Sequence, residues 1–208
     1  MKIGIIGTGH IGSTLARHFT SAGHEVAVSN SRGPDTLRGL ESELGSHGHA
    51  ATAEEAERFG DVLIISVPFK CYADVPAVDL ADKVVIDTTN YHPSRDGHFT
   101  ELDTDSQGSS EVLAGQLEGA RVVKAFNAIE WTHLRDKAGE MSGGQRVGIP
   151  VSGDDPAAKQ VVTGLIDQIG FEAVDAGSLA EGGRKHQPGS DVYFADLPAS
   201  QLRSKVTA

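Results

Sequence analysis

Residues 2–12 read Lys2-Ile3-Gly4-Ile5-Ile6-Gly7-Thr8-Gly9-His10-Ile11-Gly12, and the fold is decided there. Lys2–Gly7 is a short β-branched run, whereas from His10 to Ala22 the apolar residues recur at helical spacing. A GxGxxG pattern between a strand and a helix has a definite physical meaning. Gly7 permits the tight turn, Gly9 lets backbone amides approach a pyrophosphate, and Gly12 lets the helix pack close to the strand. The helix N-terminus then offers free N–H groups and the positive end of its dipole to that diphosphate. This is the pattern of a dinucleotide-binding turn.

Outward from this turn, strands and helices alternate. Glu25–Asn30, Asp61–Val67, Lys83–Asp87, Arg121–Phe126, Val147–Ser152 and Phe171–Asp175 read as further strands, with a weaker one near His49–Thr52. Several are apolar on both faces, as strands covered by helices on both sides must be. Thr36–Leu44, Ala53–Phe59, Ser110–Leu117 and Pro156–Ile169 read as helices. The last has Asp154 or Asp155 to cap it, Pro156 in its first turn and Gly170 to end it. The expectation is an α/β fold, a Rossmann-type doubly wound and mainly parallel sheet. Residues 1–180 form the dinucleotide-binding domain in this reading, and 181–208 a short C-terminal appendage. His92–Ser109 reads as an ordered surface loop or mobile lid. The tail from Glu181 to Ala208 reads as less regular, with Gly182-Gly183, Pro188-Gly189 and Pro198 breaking any long helix.

Nucleotide type is read at the end of the second strand, where an NAD-selective site carries Asp or Glu for the ribose 2′-hydroxyl. Here stand Ser29-Asn30-Ser31-Arg32-Gly33, with no acid before Asp35. Ser31 followed by the guanidinium of Arg32 suits a 2′-phosphate. Charge-assisted hydrogen bonds contribute roughly 1.5–3 kcal/mol each, about a ten- to hundredfold preference. NADP is favoured over NAD.

Composition narrows the class further. Lys and Arg number 18 against 29 Asp and Glu, a formal balance of −11. Nucleic acid and anionic membrane both require clustered positive charge, so neither is an expected partner. No apolar run approaches the ~20 residues of a membrane span. The apolar stretch of MKIGIIG is too short for a signal peptide and runs into glycines. The one cysteine, Cys71, excludes an intrachain disulfide framework, and none of Asn30, Asn90 and Asn127 stands in an Asn-x-Ser/Thr acceptor. A cytoplasmic protein is expected. Glycine supplies 25 of 208 residues, above the usual share of about 7%, with no period, so the surplus has local causes.

Several separated segments, taken together, carry a resemblance. MKIGIIGTGHIG, the SNSRGP loop, ISVPF, RVVKAFNAI and VSGDDPAAK followed by DAGSLAEGGR resemble the NADP-dependent coenzyme F420 oxidoreductases and the wider F420-dependent NADP oxidoreductase-like family. The likeness runs from Met1 to about Arg184. It implies that Thr8, Gly9, His10 and Ile11 hold the diphosphate and that Ser31 and Arg32 meet the 2′-phosphate. It places Val67, Pro68 and Phe69 along the ribose and nicotinamide, and Asn127, Ala128 and Ile129 at the border of the nicotinamide. The tail departs from the family pattern. Gly183–Tyr193 is polar and interrupted where archetypal members are apolar and help to form a dimer and a deazaflavin pocket. Tyr193 or Phe194 would cover a flat ring there, or Arg184 and Lys185 would meet an acidic acceptor.

The resemblance implies hydride transfer between NADP(H) and a flat redox partner, a deazaflavin or flavin-type acceptor with coenzyme F420 the foremost. A homodimer is expected. Such a reaction needs chiefly face-to-face placement of two rings, and no catalytic side chain is assigned. Two alternatives stand beside it: reduction of a small carbonyl or imine metabolite, and a non-catalytic NADPH-sensing module. The former would need a proton donor, for which His10, His92, His133, Lys124 and Tyr91 are the candidates. Nine histidines invite a metal, but His47-Gly48-His49 has no further ligands at zinc-like spacing, so none is expected.

Overall fold

Ile64 and Ile65 are neighbours in sequence, yet their side chains lie in separate apolar cores, and the same holds for Ile5 and Ile6. Alternate residues of a strand point to opposite faces, so a strand buried on both sides must be apolar throughout. These residues belong to a sheet in a computed structural model that describes residues 1–139 and 144–207.

The strands are β1 (Lys2–Ile6), β2 (Glu25–Ser29), β3 (Gly48–Ala50), β4 (Val62–Ile65), β5 (Val84–Asp87), β6 (Arg121–Lys124), β7 (Gly148–Gly153) and β8 (Glu172–Gly177). They form one sheet in the order β3-β2-β1-β4-β5-β6-β7-β8. Neighbours run parallel except β6 and β7, which pair antiparallel. The helices are α1 (His10–Ser21), α2 (Arg38–Leu44), α3 (Ala53–Phe59), α4 (Pro93–Asp96), α5 (Thr100–Asp103), α6 (Ser109–Gln116), α7 (Trp131–Asp136), α8 (Pro156–Gln168), α9 (Leu179–Lys185) and α10 (Ala199–Val206). One core joins α1, α7 and α8 to the sheet through Leu15, Phe19, Leu134, Val162 and Ile166. The opposite face is covered by α6 and α9, through Leu113 and Leu179. The doubly wound, mainly parallel α/β fold expected from sequence is the fold observed.

Local signals act where they stand in the sequence. Thr52 and Glu55 close a reciprocal capping box at the start of α3. Asp155, rather than Asp154, caps α8, its Oδ1 accepting the Ala158 amide at 2.6 Å, and Gly170 ends the helix at φ +87°. Asp154 instead accepts the Leu179 amide at 3.0 Å and so starts the chain into α9.

The polar segments need correction. His92–Ser109, read as a loop or lid, contains the one-turn helices α4 and α5. The tail, read as less regular, contains the short helices α9 and α10, and Gly182-Gly183 lie inside α9 rather than breaking it. The reason is packing: a Cβ on Gly182 would lie 2.5 Å from the Ala176 carbonyl oxygen and 2.6 Å from Ser152 Oγ. Only a bare backbone lets α9 settle against β7 and β8. α10 in turn covers β8 through Leu202 and Val206, packed with Val174 and Ala176.

Gly182→Ala is therefore expected to destabilise the fold by about 1–3 kcal/mol through overpacking. Gly164→Ala, on the open face of α8 with nothing within 4 Å, is expected to be neutral or stabilising by up to about 1 kcal/mol. Urea unfolding of the two variants checks the contrast; equal midpoints would overturn it.

Candidate functional site

The order β3-β2-β1-β4 places a topological switch point between β1 and β4, where ligands of open α/β sheets bind beyond the strand ends. A cleft lies there. Gly7 adopts φ +101°, and a Cβ on it would lie 2.1 Å from the Ser66 carbonyl oxygen. A Cβ on Gly12 would lie 1.9 Å from the Gly7 carbonyl oxygen. Both glycines are required by the close approach of α1 to the strand ends. Gly9 differs, because a Cβ there would meet nothing within 4 Å. It is the N-cap of α1, and no side chain caps that helix. The first-turn amides of α1 are left for an external acceptor, which fits a diphosphate.

The first half of the cleft, about 390 Å³, runs from this turn to the end of β2 and is lined by Thr8, Gly9, Ser31, Arg32, Val67 and Pro68, among others. Asn30 shapes its outer loop: Oδ1 accepts the Arg32 amide at 2.9 Å, and Nδ2 donates to Thr36 Oγ1 at 3.0 Å. Arg32 is exposed, and its guanidinium makes no ion pair among the described residues. Nearby Arg38 is instead engaged with Asp35 at 2.6 Å.

The second half, about 380 Å³, shares Gly9, Ser66, Val67 and Pro68 with the first. Its walls are aromatic. His10 stacks on Trp131 at 4.4 Å with 16° between planes, and Tyr193 stacks on Phe194 at 4.0 Å with 22°. Phe194 is 47% exposed at this cleft. Ile11, Asn127 and Ile129 also line it, together with Asn90, His92 and Arg95. Three of the residues picked from sequence do not line either half: Gly12, packed on the Gly7 carbonyl, Phe69 and Ala128. Phe69 is fully buried among Tyr72, Tyr91 and Phe99. Ala128 is buried behind the cleft, its carbonyl accepting the Phe194 amide at 2.8 Å.

Beneath the cleft floor lies a buried polar network, of which sequence reasoning singled out Asn127 and Lys124 but missed His186 and Ser152. Asn127 Nδ2 donates to Asn90 Oδ1 at 3.0 Å and to the His186 carbonyl at 2.7 Å. Its Oδ1 must then be the acceptor facing His186 Nδ1 at 2.8 Å, which puts the imidazole proton on Nδ1. Nε2 is left to accept from Ser152 Oγ at 2.8 Å. Burial, and secondarily the charge of Lys124, holds the His186 pKa well below its usual value, so the ring is neutral. Lys124, also buried, donates to the Thr89 carbonyl at 3.0 Å and to Ser110 Oγ at 2.9 Å, and lies 3.6 Å from Asp87. Burial lowers its pKa against the opposing pull of Asp87. The network holds Thr89, Asn90 and Asn127 at the ends of β5 and β6.

The proton-donor candidates are dispersed. His10 and His92 line the cleft, with burial and then the Arg95 charge lowering the His92 pKa. Lys124 lies below the floor. Tyr91 donates to Asp103 at 2.5 Å, and His133 pairs with Asp196 of the tail. Among the described residues no three His, Cys, Asp or Glu side chains gather to hold a metal, and no helix is long and apolar enough to cross a membrane.

A doubly wound sheet, a glycine turn against an uncapped helix and an arginine just beyond β2 have the geometry of a Rossmann-type dinucleotide-binding domain. Residues 2–91 match the family described as NADP oxidoreductase, coenzyme F420-dependent. It is 32% identical over 181 residues to the metalloreductase STEAP3 of Rattus norvegicus, a match covering 86% of this chain and 34% of that protein. The chain thus spans about a third of the length of that relative. A solved hypothetical protein of Sinorhizobium meliloti superposes with a TM-score of 0.84 at 31% identity, over 95% of both chains. A protein of Arthrobacter sp. FB24 assigned as an F420-dependent NADP-reductase does so with a TM-score of 0.71 at 25% identity, over 88% of both.

His186 makes the stability of this site depend on pH. Unfolded, the imidazole takes up a proton as pH falls through about 6.5, whereas the buried ring stays neutral. Its contribution is intact above that pH and is lost below it, at a slope approaching about 1.4 kcal/mol per pH unit. Urea unfolding between about pH 7.5 and 5 is expected to show a steeper loss for the wild type than for His186→Gln. Parallel curves would overturn the buried neutral assignment.

Proposed function

We propose that the protein transfers hydride between NADP(H) and a flat redox partner, with coenzyme F420 the foremost partner. The observation that carries this reading is the unbroken cleft: its nucleotide half and its aromatic half share Gly9, Ser66, Val67 and Pro68. NADPH supplies the hydride when bound. Amides of α1 would hold its diphosphate and Arg32 its 2′-phosphate, with Val67 and Pro68 lining the junction of the two halves. His10 with Trp131 and Tyr193 with Phe194 offer flat apolar faces to a second ring, and stacking on them excludes water from the space between. The family match and the Arthrobacter relative support F420 as that ring.

Titration with NADPH and NADH is the first test. Arg32→Ala is expected to weaken NADPH about ten- to hundredfold and leave NADH unchanged. Equal loss for both, or for neither, sinks the 2′-phosphate assignment. Anaerobic turnover with F420, FMN and FAD is the second. Tight NADPH binding without hydride transfer to any of the three would favour reduction of a carbonyl or imine metabolite instead.

A further inference from the structure

A second cavity adjoins the aromatic half of the cleft and is not used by the reaction as described. It is about 530 Å³ in volume, lies between α1 and α7, and shares only His10 and Trp131 with the cleft. The stacked His10–Trp131 pair is therefore a partition with the cleft on one side and this cavity on the other. Its lining carries two guanidinium groups, imidazole rings and hydroxyls. Arg17, His18 and Arg135 face it with Ser13, Thr14 and Ser21, and no Asp or Glu is among its described lining residues. That is a local exception in a chain with a formal balance of −11.

Two carboxylates outside the lining engage the arginines. Arg17 pairs with Glu43 at 2.6 Å and Arg135 with Asp136 at 2.6 Å. All four side chains are about half exposed, and each guanidinium gives its carboxylate only Nε–H and one Nη2–H, which leaves further donors for a second acceptor. Arg135 is held in place besides, its Cζ lying 5.1 Å from the Trp131 ring centroid. His18 is fixed by donating Nε2–H to the Leu134 carbonyl at 2.7 Å. The planar donors of two arginines beside hydroxyl groups are the chemistry that recognises phosphate or carboxylate.

We propose that this cavity is an anion subsite, receiving a phosphate or carboxylate substituent of the flat redox partner whose ring stacks at the aromatic end of the cleft. The inference rests on the hydride-transfer reading for the ring but on separate residues for the anion. Ring and substituent are recognised on either side of one aromatic partition.

FMN and riboflavin share a ring and differ by one phosphate, which makes them the probes. With NADP+ saturating, FMN is expected to bind about tenfold tighter than riboflavin. The difference should collapse in the double variant Arg17→Gln, Arg135→Gln, with riboflavin and NADPH affinities unchanged. Equal affinities in the wild type, or a difference that survives the double variant, overturn the subsite and leave the flat-partner reading standing. Binding of neither flavin removes the flavin-type ring, and inorganic pyrophosphate then decides. Trp131 is the chain's one tryptophan. A saturable change in its fluorescence with pyrophosphate in the NADP+-saturated protein, lost in the double variant, supports the anion subsite. No such change overturns it.

Discussion

No side chain fits between the β1–α1 turn and the end of β4, and the rest of the site depends on that constraint. The positions that a Cβ would take at Gly7 and Gly12 are already filled by backbone carbonyls, at 2.1 Å and 1.9 Å. Their absence lets α1 start directly at the switch point of the sheet with its amides facing outward. It also sets the rotation of the helix. His10, Ser13, Thr14, Arg17, His18 and Ser21 recur at intervals of three and four and so share one face, which lines the cavity beside α7. Leu15, Ala16 and Phe19 take the opposite face into the core. One steric fact thus aims both the α1 amides at the cleft and this face of α1 at the neighbouring cavity.

The buried polar network acts on the other side of the cleft. Enclosing Lys124, Asp87 and His186 gains little stability over well-packed apolar residues, because desolvation offsets most of the attraction. What it provides is position. Asn127 is bonded at once to the β5 loop through Asn90 and to the tail through His186, and Ser152 extends the chain of bonds to β7. Phe126, immediately before Asn127, is held at φ +61°, a left-handed conformation that a bulky residue adopts only when its surroundings fix it. Phe194 and Asp196 show the same feature in the tail segment that closes the cleft. Strained backbone therefore stands on both sides of the aromatic half, tied by the Phe194 amide to Ala128.

The parts legible in the sequence were those with a periodic or steric signature. The central strands were visible because two-faced burial demands consecutive apolar residues. α1 and α8 were visible because twelve or thirteen residues give room for a helical stripe. The single-turn helices α4 and α5 offer no period to detect, and α9 was hidden by Gly182-Gly183, which read as breakers until Ser152 and Ala176 were known to pack against them. In the candidate site, the turn at residues 7–12 could be read because close backbone approach restricts what stands at Gly7 and Gly12, whereas the anion chemistry of Ser31 and Arg32 belongs to the proposal. Phe69 shows the limit: an aromatic residue after a strand end serves equally as a wall or as core, and only its contacts with Tyr72, Tyr91 and Phe99 decide. His186 was unreadable for the converse reason, since a histidine in a polar stretch is buried only by partners at positions 127 and 152.

Charge gives the last link. A balance of −11 opposes the approach of any anion, yet the cofactor and the proposed partner substituent are both anionic. At physiological ionic strength the Debye length is about 8 Å, so the diffuse repulsion of surface carboxylates fades within a few residues of the cleft. Within that distance the donors are specific: the α1 amides, Arg32 beyond β2, and Arg17 with Arg135 beside α7. Those groups lie at separate points around a single aromatic cleft, so each recognises a compact charge in one place rather than a polyanion along its length. An acidic surface is then compatible with the proposed binding of multiply charged redox cofactors.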